Sequence, residues 1–127
     1  FYTGGNHGTC TQLRRTMQHN FKCTGAGKFI HGQPSKSKVR DYTNAYHRAT
    51  FCPCPGGDSP SAKRMFDALH AGCIPIIVID NLVLPFSEVL DWKRFSIRFY
   101  EHDSELIYDH VTSKVNNSCF LILKSIL

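Results

Sequence analysis

Apolar and polar positions in the middle of this 127-residue chain recur at the helical period. Ala62, Met65, Phe66 and Leu69 stand at i, i+3, i+4 and i+7, with Lys63, Arg64, Asp67 and His70 nearer the other side. The spacing predicts a helix with one stripe against a sheet. Ser59 is placed to cap it, Pro60 fits a first turn that needs no N–H, and Gly72 follows the last turn. Before the helix come Thr50-Phe51-Cys52, read as a strand, and the turn at Gly56-Gly57. After it, Ile74 to Ile79 is a continuous apolar run of the kind that forms a strand covered on both faces. Strand, glycine turn, helix and strand together make a βαβ unit, around which the other segments can be arranged.

Upstream, Phe1-Tyr2-Thr3 reads as a strand stopped by Gly4-Gly5. A helix capped by Thr9 follows, with Leu13, Met17 and Phe21 as its stripe and Arg14 and Arg15 near its start. Lys28 to His31 is a short strand, and Val39, Tyr42, Ala45 and Tyr46 predict a helix over 37–48. Downstream, Ser87 to Trp92 is expected as a short helix capped by Ser87, and Phe95 to Phe99 alternates as a strand. Asp103 is placed to cap a last helix bearing Leu106, Ile107, His110 and Val111. The apolar end, Phe120 to Leu127, receives no role. Helices alternating with short strands imply an α/β fold: a Rossmann-like, three-layer domain with a mainly parallel sheet, spanning residues 1–127 as one unit.

A hydrophobic share of 42% and a charged share of 20% are ordinary for a globular chain. The net charge of +5 suits an anionic partner. Its basic residues are scattered, and Lys36, Lys38 and Arg40 lack interleaved aromatics, so nucleic acid is not the expected partner. No stretch reaches the roughly 18 to 20 apolar residues of a membrane span. Phe1 is no initiator, and the immediate apolar start suggests a piece of something longer. The six cysteines look too few and too irregular for a disulfide scaffold, and Cys73 is expected as a packed thiol. A zinc site from Cys52, Cys54, His70 and Cys73 is set aside on the expectation that Cys52 and Cys54 face opposite ways, so no metal is assigned. Cys10 with Cys23, and the acceptor Asn116-Asn117-Ser118, acquire meaning only in a secreted protein.

The chemistry concentrates at the glycine turn. Gly56 and Gly57 allow close approach of a ligand, and the first amides of a helix suit a phosphate. Asp67 lies seven positions after Pro60, about two turns or on the order of 10 Å along the axis, in reach of a sugar hydroxyl if a diphosphate sits at the helix start. That spacing points to a nucleotide. The competing reading is an Asp67 that simply pairs with Lys63 or Arg64 on a solvated face. Arg14, Arg15 and His7 carry a similar choice between gripping a diphosphate and lying on the surface.

Four blocks in order, Phe51 to Ser59, Arg64 to Leu69, Gly72 to Pro75 and Leu84 to Trp92, resemble the exostosin family of glycosyltransferases, densely over 51–99 and more loosely through Gly4-Gly5 and Arg14-Arg15. The resemblance implies the carboxyl-terminal, donor-binding half of a GT-B fold. It also implies inverting transfer from a nucleotide sugar, usually a UDP-sugar, to a glycan or glycoprotein acceptor. By the same resemblance Asp67 would hold the ribose, and Gly57, Asp58, Ser59 and Ser61 would lie near phosphates or sugar. Arg64 matches a basic residue three positions before the acid, and Arg14 or Arg15 an arginine on the first helix. Aspartate stands at 67 where the animal-type enzymes carry glutamate, one methylene longer. No cofactor or metal is implied and no catalytic base is assigned. A membrane anchor upstream, a Golgi or endoplasmic-reticulum lumen location, and room for an oligomer come with the family. The alternative is a non-catalytic, transferase-like binding or scaffolding subunit.

Overall fold

A computed structural model describes residues 2–4, 11–23, 29–31, 39–57 and 63–115. In order they form β1 (Tyr2–Gly4), α1 (Thr11–Cys23), β2 (Phe29–His31), α2 (Val39–Arg48), β3 (Phe51–Pro55), α3 (Arg64–His70), β4 (Ile74–Val78), β5 (Ile97–Phe99) and α4 (Ile107–Val115). β1 and β2 pair in parallel, β3, β4 and β5 form a parallel sheet in that order, and β1 lies against β3. The α/β reading with a parallel sheet therefore holds. Among the described residues no helix is long and apolar enough to cross a membrane.

β4 is the central strand and is buried along its whole length. Its side chains alternate between two cores, as a period of two requires. Ile77 and Ile79 face Tyr46 of α2, Met65 and Ala68 of α3, and Trp92. Ile76 and Val78 face Met17 of α1 and Ile107 of α4. Helices thus cover both faces, giving the three layers. Gly72 closes α3 with φ +68, while Cys73 N donates to Ala68 O and Gly72 N to Leu69 O, the paired bonds of a Schellman cap.

Several expectations change. The buried face of α3 is Met65 and Ala68, with Phe66 exposed, because the step from Met65 to Phe66 turns the side chain about 100° away from the sheet. Ser59, Pro60 and Ala62 lie outside the described residues. Ser87 to Trp92 is not a helix. Trp92 is buried, and its indole Nε1 donates to Pro85 O at 2.8 Å, folding the segment into turns before a 3₁₀ helix, Trp92–Arg94, capped by Asp91. Asp103 sits inside a 3₁₀ helix, Glu101–Leu106, and does not cap α4.

The cysteines are also corrected. Cys73 is joined to Cys52 in a disulfide with Cα atoms 6.0 Å apart. The parallel register that sets Phe51 beside Ile74 brings the two within reach. Cys52 and Cys54 share one core, as residues two apart on a strand must. Cys54 remains a buried thiol donating to Cys52 O. Burial pushes its pKa from 9.0 up to about 12, against partial opposition from the Arg64 charge. A folded pKa above the unfolded one means that native thiol retains its proton where the unfolded chain loses it. The contribution of Cys54 to stability is therefore flat below about pH 9 and declines between 9 and 12. Native protein at pH 8 should resist thiol-selective alkylation at Cys54, and label should appear there only with denaturant; mass-spectrometric peptide mapping reads this directly. Cys10 paired with Cys23, and the Asn116 acceptor, fall outside what is described.

Candidate functional site

The two groups of parallel strands meet where β1 contacts β3. From the β1–β3 junction the chain works outward in both directions, to β2 on one side and to β4 and β5 on the other. Helices leave that junction on opposite faces, α1 toward Ile76 and Val78, α3 toward Ile77. In open parallel sheets a ligand settles beyond the carboxyl ends of the strands at such a reversal. Gly4 ends β1 there, and Gly56 and Gly57 follow Pro55 at the end of β3, both of them buried.

Arg14 reaches this junction from the first turn of α1. It is only 2% exposed, and Nη1 donates to Gly56 O at 3.2 Å. Nε and Nη2 are buried and, among the described residues, without a partner. A guanidinium carries five N–H donors, and leaving two of its nitrogens unpaired out of water costs free energy that the fold must offset elsewhere. Arg15, next along the helix, is exposed. The two arginines thus separate: Arg14 belongs to the glycine turn and Arg15 to the surface.

The remaining site residues fall on α3 or before it. Arg64 is half-buried at the head of α3, close enough for its charge to act on the Cys54 thiol. Asp67 is half-buried one turn further and accepts from Lys63 Nζ at 2.5 Å, with Lys63 itself 85% exposed. The pairing with Lys63 weighed from the sequence is therefore present. An exposed i, i+4 pair of this kind is worth about 0.3–0.5 kcal/mol, little enough for a ligand hydroxyl to displace. Asp58, Ser59, Ser61 and His7 lie outside the described residues. Among the described residues no group of His, Cys, Asp and Glu is arranged to hold a metal ion.

Sequence reasoning missed Arg98. Its Nη2 donates to the carbonyls of Ile79, Asp80 and Leu82 at 3.2, 2.9 and 3.1 Å, gathering the chain as it leaves β4. Asp80 Oδ1 in turn accepts from Glu101 N at 2.8 Å. The available signal was a lone arginine inside the apolar alternation of Phe95 to Phe99.

Comparison with known proteins bears on this geometry. The pattern of the Exostosin GT47 domain matches residues 2–114. A probable arabinosyltransferase of Arabidopsis thaliana is 43% identical over 76 residues, 60% of this chain and 17% of the relative. A probable glycosyltransferase of the same plant is 33% identical over 97 residues, 76% of this chain and 20% of the relative. Exostosin-2 of Homo sapiens is 36% identical over 95 residues, 72% of this chain and 13% of the relative. The chain thus spans a fifth or less of the length of these relatives. With its family pattern running from β1 through α4 and its glycine turn at the strand reversal, the chain belongs to the exostosin GT47 family of glycosyltransferases.

Proposed function

We propose that this chain forms the donor wall of a glycosyltransferase, the carboxyl-terminal half of a GT-B fold. In this reading it holds the diphosphate of a nucleotide sugar, a UDP-sugar in the first instance, at the β1–β3 junction. The observation that carries the reading is Arg14, a buried cation whose Nε and Nη2 are unpaired among the described residues, beside two glycines. A diphosphate supplies the acceptors that these donors lack, in charge-assisted bonds roughly twice as strong as neutral ones. Gly57 and the segment 58–62, with Asp58, Ser59 and Ser61, line the phosphates and sugar, and Arg64 adds positive charge at the head of α3. Asp67 exchanges Lys63 for the ribose.

Chemically, these residues stabilise the leaving group. As the sugar–phosphate bond breaks, negative charge grows on the departing diphosphate, and a fixed guanidinium in a site poor in water supports it without reorganising. Inversion also requires a base to deprotonate the acceptor hydroxyl, and none of the residues named here is assigned that role. The acceptor is a glycan or glycoprotein. The Cys52–Cys73 disulfide favours an oxidising compartment and so a lumenal placement in the secretory pathway, with an anchor upstream.

Calorimetric titration with UDP tests the assignment. Asp67→Ala should weaken UDP by about 1–3 kcal/mol, the usual cost of leaving polar groups unpaired. It should leave inorganic pyrophosphate unaffected, since that ligand has no ribose. Equal affinity of both proteins for UDP would confine Asp67 to its surface pair with Lys63 and overturn its ribose role.

A further inference from the structure

The parallel register carries one row of residues out of the sheet together. Pro55 pairs with Val78, and Val78 with Phe99, so Gly56, Ile79 and Tyr100 emerge side by side at the carboxyl edge. Strand spacing sets Tyr100 about 10 Å along this edge from Gly56. Tyr100 is 61% exposed and stacks on His102, ring centroids 5.6 Å apart and planes 16° from parallel.

The backbone that carries this aromatic pair is held in place. Glu101 N donates to Asp80 Oδ1, Arg98 grips the backbone of Asp80, and Asp103 N donates to Tyr100 O. His102 Nε2 lies 3.4 Å from Asp103 Oδ1. Two exposed rings stacked at the carboxyl edge of the sheet, outside both apolar cores of the described residues, offer an aromatic face to a ligand. An aromatic face is electron-rich and attracts the weakly positive C–H face of a sugar ring, and a fixed ring loses little entropy on contact. Asp80, Glu101 and Asp103 outnumber Arg98 at this rim, which disfavours an anionic sugar.

We propose that the Tyr100–His102 stack is a carbohydrate subsite that takes a neutral pyranose of the acceptor glycan, one sugar-length or two from the point of transfer. The proposal rests on the donor reading to the extent that both use the carboxyl edge as the cleft. Saturation-transfer NMR on the full chain with xylohexaose, galactohexaose and hexagalacturonate tests it, with UDP titrated in parallel. At least one neutral hexamer should bind the wild type, at least fivefold more tightly than hexagalacturonate. Tyr100→Ala should weaken that binding about tenfold, Tyr100→Phe should restore it, and the UDP affinity of both should equal that of the wild type. Melting temperatures establish that both variants fold, as expected for an exposed side chain. The proposal is overturned if neither neutral hexamer binds the wild type, if hexagalacturonate binds as well as they do, or if Tyr100→Ala binds them unchanged. A Tyr100→Ala variant that loses UDP and hexamer alike also overturns it, since the ring would then act by holding the loop. Hexamer binding with the expected variant pattern, but no UDP binding, upholds the subsite and removes the donor reading.

Discussion

Replacing Arg14 by methionine is expected to stabilise the empty protein and to deprive it of its nucleotide. The two effects have one cause. Arg14 is a buried cation that donates to Gly56 O and, among the described residues, leaves Nε and Nη2 without partners. Methionine is similar in length, is apolar, and would extend the side that Met17 and Leu13 of α1 already present to Ile76 and Val78. Replacing buried ionic groups by well-packed apolar ones is commonly neutral or stabilising by about 1–4 kcal/mol, and a gain within that range is expected where no described residue supplies a counter-ion. A diphosphate would be that counter-ion. Removing one member of a buried charge pair costs about 2–5 kcal/mol of binding, so Kd for UDP should rise by roughly 30-fold or more. Denaturant melts of the unliganded protein and calorimetry with UDP measure the two quantities separately. A variant that is less stable but binds UDP normally would make Arg14 a brace for the Gly56 carbonyl alone. Arg14→Lys should fall between, retaining charge but losing the planar fork.

The residue on which the proposed donor site turns was half legible in the sequence. Arg14 and Arg15 are equivalent to any reading by periodicity, because an uncertain helix start lets either face the sheet. Position decided between them: Met17, three residues after Arg14, is buried, and Arg14 lies on the same stripe. A charged side chain on a core stripe is a signal of its own, visible once Leu13 and Met17 are taken as the apolar positions. The βαβ unit was readable because β4 is unbroken in its apolar character and Gly72 ends α3 where only a positive φ fits. The segment from Ser87 to Trp92 was not readable. Its spacing suits a helix, yet Trp92 gains more from entering the core and bonding Pro85 O than the short helix could return. The cost is visible at Phe86, exposed and held at φ +54. The disulfide escaped because pairing depends on register, and Cys52 meets Cys73 only once β3 and β4 lie in parallel.

That disulfide carries the second large effect. Cys52 stands on β3 and Cys73 immediately before β4, so the bond closes the 21-residue span that holds the glycine turn and the whole of α3. Both cysteines are buried to 1% exposure or less. Cross-linking a loop of this length restricts the unfolded chain by about 3 kcal/mol on the loop-entropy account, and losing a native disulfide from a small domain costs about 2–5 kcal/mol. Cys52→Ala/Cys73→Ala should therefore lower stability by that amount in denaturant melts, a large share of the 5–15 kcal/mol typical of a folded domain. Burial adds a kinetic consequence. Reductant cannot reach the sulfurs in the native state, so wild-type protein should resist it without denaturant and be reduced at the rate at which it unfolds. UDP, by binding the native state, should slow that reduction in wild-type protein and do so far less in the Arg14→Met variant. Prompt reduction of native protein would show that the β3–β4 junction opens on its own, and the glycine turn would then lack the rigid footing that Arg14 needs to present its free N–H groups.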